Sequence, residues 1–290
     1  MIRSLLFVPG NNPAMLQNSD VFGADGVIFD LEDSVHVIEK DNARNLVSRY
    51  LEEFPSLPGR IMIRINAIDT PFYEADLETI VSDRIDTIML PKATIESVKG
   101  LSQRLTVLEK TKKMTKTITI FPIIERAISL LEVKDIASLE RVDGLLFGAE
   151  DYCSEMGIKR TLAGTELIYP RSLIALCAKA NDIDAIDTPF VDVSDDLALV
   201  QDCQAGAILG MNGKAAIHPR QVGTINEVFS PSSEQIFWAK KVLEAKKEAD
   251  RKGLGVFSLD GKMIDKPIIE RAGRIAELAE RFGLFRDNDD

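Results

Sequence analysis

The sequence predicts a single α/β domain, a (β/α)8 TIM barrel, followed by a C-terminal helical extension. Three observations carry this. Short apolar runs rich in β-branched residues recur eight times, segments of helical period lie between them, and no glycine-rich phosphate loop follows the first run. Strands that alternate with helices imply βα units and a parallel sheet. Eight such units favour a closed barrel over an open doubly wound sheet. The missing G-x-G-x-x-G removes the usual mark of the open, dinucleotide-binding alternative.

In chain order the runs are Ser4–Val8, Gly26–Asp30, Ile61–Ile65, Thr87–Leu90, Ile118–Ile124, Gly144–Phe147, Ala185–Asp187 and Lys214–Ile217. The intervening helical segments are Lys40–Glu52, Tyr73–Val81, Thr94–Lys110, Ala127–Ala137, Ser172–Ala180 and Asp195–Ala205. The barrel is assigned to residues 1–225 and the extension to residues 226–290. Within the extension, Trp238–Lys252 reads as a charged helix. Pro267–Phe282 reads as a second, with Ile268, Ala272, Ile275, Ala279 and Phe282 on one face. Gly253–Lys266 holds Gly253, Gly255 and Gly261 and reads as a mobile loop, and Arg286–Asp290 as a frayed end.

Composition narrows the function. Of 290 residues, 45% are hydrophobic and 28% charged, as in an ordinary globular protein. With 35 Lys and Arg against 46 Asp and Glu, the formal charge is −11. That is a poor match to nucleic acid or an anionic membrane. It leaves room for an anionic metabolite, because one arginine or bound cation reverses the field inside a cleft. Cys153, Cys177 and Cys203 form no C-x-x-C and suit a reduced, cytoplasmic protein. Met1–Gly10 does not read as a signal peptide, and no apolar stretch approaches the length of a membrane span.

Catalytic residues of a barrel come from the C-terminal ends of its strands. Here those ends carry Pro9-Gly10-Asn11, Asp30-Leu31-Glu32-Asp33, Arg64-Ile65-Asn66, Pro91-Lys92, Glu125-Arg126, Glu150-Asp151, Asp187-Thr188 and His218-Pro219. Asp30, Glu32, Asp33, Glu125, Glu150, Asp151 and Asp187 would gather on one rim and repel one another unless cations are present. Arg64 and Lys92 supply part of that charge; a divalent metal is the natural remainder. The donors are all hard oxygen, which suits Mg2+ or Mn2+.

Each residue also has a plainer reading. Asp33 and Asp151 suit helix caps. Arg64 suits an ion pair with Glu32, His218 a hydrogen bond in a tight turn, His36 the surface, and the cysteines packing. Lys92 is the residue type for a Schiff base. The coincidence across eight strand ends, more than any one residue, points to a site.

The segments Arg3-Ser4-Leu5-Leu6-Phe7-Val8-Pro9-Gly10, Phe29-Asp30-Leu31-Glu32-Asp33-Ser34-Val35, Arg64-Ile65-Asn66-Ala67 and Leu90-Pro91-Lys92 resemble the citrate lyase β-chain family. So do Gly148-Ala149-Glu150-Asp151-Tyr152, Arg160-Thr161, Gly164-Thr165-Glu166-Leu167, Ile217-His218-Pro219-Arg220-Gln221 and Ser258-Leu259-Asp260-Gly261-Lys262-Met263-Ile264-Asp265-Lys266-Pro267. The likeness runs from Ile2 to about Leu284, within the HpcH/HpaI superfamily that includes malyl-CoA and citramalyl-CoA lyases and related aldolases. It implies Mg2+-dependent cleavage of a citryl thioester to oxaloacetate and an acetyl thioester by reverse Claisen chemistry. It further implies Glu125 and Asp151 as metal ligands, Arg64, Glu125 and Phe7 as substrate-binding, and Arg64 and Asp265 as catalytic. Asp265 would be the acid/base group, contributed from a neighbouring subunit's C-terminal lid. Glu32, Asp33 and Glu150 would stand behind the ligands, with Glu32 and Asp33 orienting Arg64 and metal-bound water. The implied partners are an α subunit, an acyl-carrier (γ) subunit and further copies of the chain in a trimer. CoA-using relatives tend to carry lysines just after the first Pro-Gly; residues 11–19 here have none, which fits a carrier-borne substrate. The alternatives are a free-standing malyl-CoA or citramalyl-CoA lyase, or a non-catalytic barrel subunit.

Overall fold

The computed structural model describes residues 1–251, 253 and 255–285. The chain divides into two compact units, Met1–Asn226 and Glu227–Asp290. In the first, eight parallel strands close into a barrel in chain order: β1 (Ser4–Pro9), β2 (Gly26–Asp30), β3 (Arg60–Arg64), β4 (Thr87–Leu90), β5 (Thr119–Ile124), β6 (Gly144–Phe147), β7 (Asp184–Asp187) and β8 (Gly213–Ala216). β8 pairs back onto β1, Ser4 opposite Lys214. All eight runs expected from the sequence are present, with ends shifted by a residue or so.

The helices are α1 (Pro13–Gln17), α2 (Lys40–Glu53), α3 (Tyr73–Ile80), α4 (Ile95–Thr111), α5 (Ala127–Ala137), α6 (Ala149–Met156), α7 (Ile168–Ala180), α8 (Asp196–Ile208), α9 (Pro219–Val228), α10 (Ser233–Arg251) and α11 (Lys266–Arg281). Local chemistry sets their ends. Thr94 and Ser97 form a reciprocal capping box at α4, and Gly157, left-handed at φ 66°, closes α6. The sequence reading passed over α1, α6 and α9, which are short or start directly at a strand end. It also began α7 four residues late, because Pro170 sits where a helix tolerates it, in the first turn.

Side chains alternate across each strand, so one face fills the barrel and the other meets the helices. Leu5, Ile28, Met62, Met89, Phe121, Ile123, Leu146, Ile186 and Ala215 make one buried cluster. Gly144 belongs to the same layer: a Cβ there would overlap the Phe121 ring.

In the second unit α10 packs on α11 around Ala239, Val242, Ile264 and Ala272, with Trp238, Phe257 and Ile268 against them. The expected loop over Gly253–Lys266 is corrected here. Phe257–Leu259 (β9) and Lys262–Ile264 (β10) form an antiparallel hairpin with Leu259 opposite Lys262. Its two turn residues, Asp260 and Gly261, both have positive φ, 50° and 76°. Asp-Gly between apolar runs is a strong short-range hairpin signal, so the sequence carried it. The frayed end expected at Arg286–Asp290 lies outside the described residues.

Candidate active site

Two residues beyond the buried layer, the inward-facing positions are Phe7, Asp30, Arg64, Pro91, Glu125, Gly148, Thr188 and Ile217. All but Pro91 line a cavity of about 300 Å³. Asp33, Ser34, Glu150, Asp151, Pro189 and Val191 line it too. The lining therefore comes from the ends of seven of the eight strands and from the loops that follow them.

Arg64 ends β3 beside Asp30, which ends β2, and the two are register partners. Arg64 Nε donates to Asp30 Oδ1 at 2.6 Å and Nη2 to Oδ2 at 2.7 Å. Nη1 lies 3.1 Å from Glu32 Oε2 and 3.5 Å from Asp33 Oδ2. The guanidinium also stacks on Phe7, 4.9 Å from the ring centroid. Burial would raise the Asp30 pKa, but the Arg64 charge and hydrogen bonds outweigh it and hold the carboxyl below its ordinary value. Glu32 shows the opposite balance. Burial dominates, Arg64 only partly offsets it, and the pKa is pushed up to about 7. Behind the loop, buried Lys40 donates from Nζ to the carbonyls of Leu31 and Glu32 at 2.7 and 2.6 Å.

Glu125 is buried at the end of β5. Its Oε1 accepts the backbone N–H of Lys92 at 2.6 Å, and Lys92 adopts a left-handed conformation (φ 52°) unusual for a non-glycine residue. The Lys92 ammonium lies 3.7 Å from Glu32 Oε1. On the other side Gly148 makes room: a Cβ there would stand 2.7 Å from Glu125 Oε2. Burial and then the neighbouring Glu32 charge push the Glu125 pKa up to about 8, with Asp151 adding to the repulsion. Asp151 stands in the first turn of α6, exposed, on the lining of the same cavity. Two crowded carboxylates beside open space fit a hard divalent cation. Mg2+ takes one or two protein carboxylates and keeps its other positions for water or substrate. Among the described residues no group of three or more His, Cys, Asp or Glu side chains forms a fuller cage.

Not every strand-end residue faces the cavity. Asp187 sits one position off the inward register, so it points outward. There it accepts from Arg171 Nε and Nη2 at 2.8 and 2.9 Å and from Lys214 Nζ at 2.8 Å. Asp202 joins that buried cluster, 2.6 Å from both cations. The expectation that Asp187 belongs to the acidic rim is corrected: strand-end position was counted without its face. Glu150 pairs with Arg160 at 2.8 Å, and Arg160 also donates to the Pro189 carbonyl. Asp265 lies in the second unit, where its side chain caps α11 by accepting from Ile268 N at 3.3 Å. His218 Nδ1 accepts from Arg220 N in a turn, and His36 makes the same kind of local bond at the surface. All three cysteines are free and buried. The sequence reading gave the orientation of Arg64 to Glu32 and Asp33. The tightest partner is Asp30, and the matching ends of consecutive strands were the signal for it.

A closed barrel with acidic side chains and one anchored arginine at the C-terminal mouth defines an enzyme of the (β/α)8 class. The model of the HpcH/HpaI aldolase/citrate lyase family matches residues 3–219, and the chain belongs to that family. It is 39% identical to the citrate lyase subunit beta of Leuconostoc mesenteroides subsp. cremoris, over 96% of this chain and 93% of that one. It is 30% identical to the human mitochondrial citramalyl-CoA lyase, over 96% of this chain and 85% of that one. A CitE protein from Mycobacterium tuberculosis, solved with magnesium, acetoacetate and coenzyme A, superposes with a TM-score of 0.79. The two are 29% identical, and the match covers 96% of this chain and 98% of that one.

Proposed function

We propose that this chain is a Mg2+-dependent carbon–carbon lyase that cleaves a citryl thioester into oxaloacetate and an acetyl thioester. The observation that carries the reading is the pairing of Glu125 and Asp151 with the anchored Arg64 around one cavity. The likeness to citrate lyase β subunits over most of the chain supports the choice of substrate. Glu125 and Asp151 would hold Mg2+, which supplies a positive charge that polarises the substrate oxygens. The tertiary hydroxyl of the citryl group loses its proton to a base, the adjacent C–C bond breaks, and the oxygen becomes the ketone of oxaloacetate. Arg64 stabilises the charge that grows on the departing thioester enolate. Asp265 returns a proton to the enolate carbon. The Lys92 ammonium, beside Glu32, balances charge and forms no Schiff base.

A second reading is a free-standing lyase for citramalyl-CoA or malyl-CoA, favoured by the likeness to the human citramalyl-CoA lyase. The lysine-free stretch at residues 11–19 favours the first, because a carrier-borne thioester does not depend on lysines placed there to hold free CoA. On this reading the partners are an α subunit and an acyl-carrier subunit. The setting is the cytoplasm, which suits three unpaired thiols. No helix among the described residues is long and apolar enough to cross a membrane. A substrate panel separates the readings. With citryl-, citramalyl- and malyl-CoA at equal concentration, the proposal expects oxaloacetate from citryl-CoA at the highest kcat/KM. A higher value for either of the others would replace it with the second reading.

A further inference from the structure

The hydrogen bonds around Arg64 limit what it can offer a substrate. A guanidinium has five N–H groups. The Nε hydrogen and one on Nη2 go to the two oxygens of Asp30, and Nη1 faces Glu32 and Asp33. Nη1 makes one hydrogen bond, to Asp33 Oδ2 at 3.5 Å, and lies at ion-pair distance from Glu32, so one hydrogen on Nη2 and one on Nη1 remain. A guanidinium can grip a carboxylate through Nε and Nη2 or through its two Nη groups; Asp30 takes the Nε edge, which leaves the Nη end. Asp30 is equally committed. Oδ1 accepts from Arg64 Nε and from Glu32 N at 2.9 Å, while Oδ2 accepts from Arg64 Nη2 and from Ser34 N at 3.1 Å. A carboxylate has about four acceptor positions, so Asp30 has none left for a metal ion or a substrate proton. Its side chain is 2% exposed.

We infer that Asp30 is the positioning residue for Arg64: it takes the two-pronged contact on the Nε edge, so that Arg64 presents its Nη end to the reacting fragment in a fixed orientation. Phe7 stacks on the guanidinium and restricts its remaining freedom. The same carboxylate ties down the backbone of Glu32 and Ser34, so one side chain sets both the arginine and the loop beside it. On this account Arg64→Lys loses activity because one ammonium cannot meet both Asp30 oxygens and still present a donor to substrate.

The inference rests on the lyase reading for its kinetic test and has a second readout that does not. The kinetic test is a cycle of Asp30→Asn, Arg64→Lys and the double variant, followed by citryl-CoA cleavage. Misplacing a catalytic group by about 1 Å costs on the order of 100-fold. Each single variant is expected to lose about that much, mostly in kcat, and the double variant no more than the worse single. Losses that multiply, or wild-type kinetics in Asp30→Asn, would overturn the inference. If Asp30→Asn does not fold, the cycle is run with Asp30→Glu and decided the same way. The second readout is the Arg64 Nε–H resonance of the substrate-free protein, identified by its loss in Arg64→Lys. It should be protected from solvent exchange in the wild type and unprotected in the Asp30 variant; equal protection in both overturns the clamp. Absence of thioester cleavage by the wild type would defeat the lyase reading, and the resonance would still decide the role of Asp30.

Discussion

Glu125 shows how one side chain is prepared by its neighbours. The strained Lys92 backbone directs an N–H at Oε1, and Gly148 leaves the space that Oε2 occupies. Strain of this kind in a non-glycine residue is retained where its surroundings require it. Gly148→Ala places a methyl group against that carboxylate. Residues that orient a ligand typically contribute about 10- to 100-fold in metal affinity, so Mn2+ binding followed by electron paramagnetic resonance should weaken by about that much. Unchanged affinity would mean that Glu125 is not a ligand, or that it does not need that space. Lys92 forms no covalent bond to substrate in this account. Borohydride added during turnover should leave no adduct on it, and a stable adduct at Lys92 would replace the metal mechanism with an imine one.

Among the elements, parity along the strands explains what could be read in advance. Eight apolar runs gave the barrel, because a short β-branched stretch between helical segments has few other uses in such a chain. Their ends gave the level of the site. The face did not follow from the ends: Asp30, Arg64 and Glu125 fall on the inward register, and Asp187 falls one residue off it. The outward cluster of Arg171, Lys214, Asp187 and Asp202 therefore holds helices α7 and α8 to the barrel wall. Burial raises the Asp202 pKa, but Lys214 and Arg171 lower it by more, so it lies below the ordinary value. A carboxyl depressed in the folded state contributes stability above its unfolded pKa of about 4, lost as pH falls through the folded value. Asp202→Asn should cost about 3 kcal/mol at pH 7 in urea unfolding and should flatten part of the acid limb. An unchanged midpoint would remove the cluster from the account of stability. At α11, Asp265 is already a helix cap. Asn caps as well as Asp does, so Asp265→Asn should keep the melting temperature and lose turnover. Retained turnover would leave Asp265 with the cap alone.

For the whole molecule, motifs spread from Arg3 to Pro267 pointed to one family, and the match at residues 3–219 bears that out. The hairpin of the second unit was legible in Asp260-Gly261 but was read as a loop, because its strands are only three residues long. Whether Asp265 acts at the barrel site, from its own chain or from a second copy, was not legible in a chain met alone. A mixture of Asp265→Asn and Glu125→Gln proteins addresses that. If the lid acts between subunits, mixed oligomers should regain part of the activity that each variant lacks; no recovery in mixed oligomers would speak against action between subunits. The most direct test of a Mg2+-dependent lyase is oxaloacetate release from citryl-CoA, measured side by side for the wild type and Glu125→Gln, with Mg2+ and with EDTA. The account expects release by the wild type only with Mg2+, and a loss on the order of 100-fold or more in Glu125→Gln. Release that persists in EDTA, or in Glu125→Gln at the wild-type rate, would contradict it.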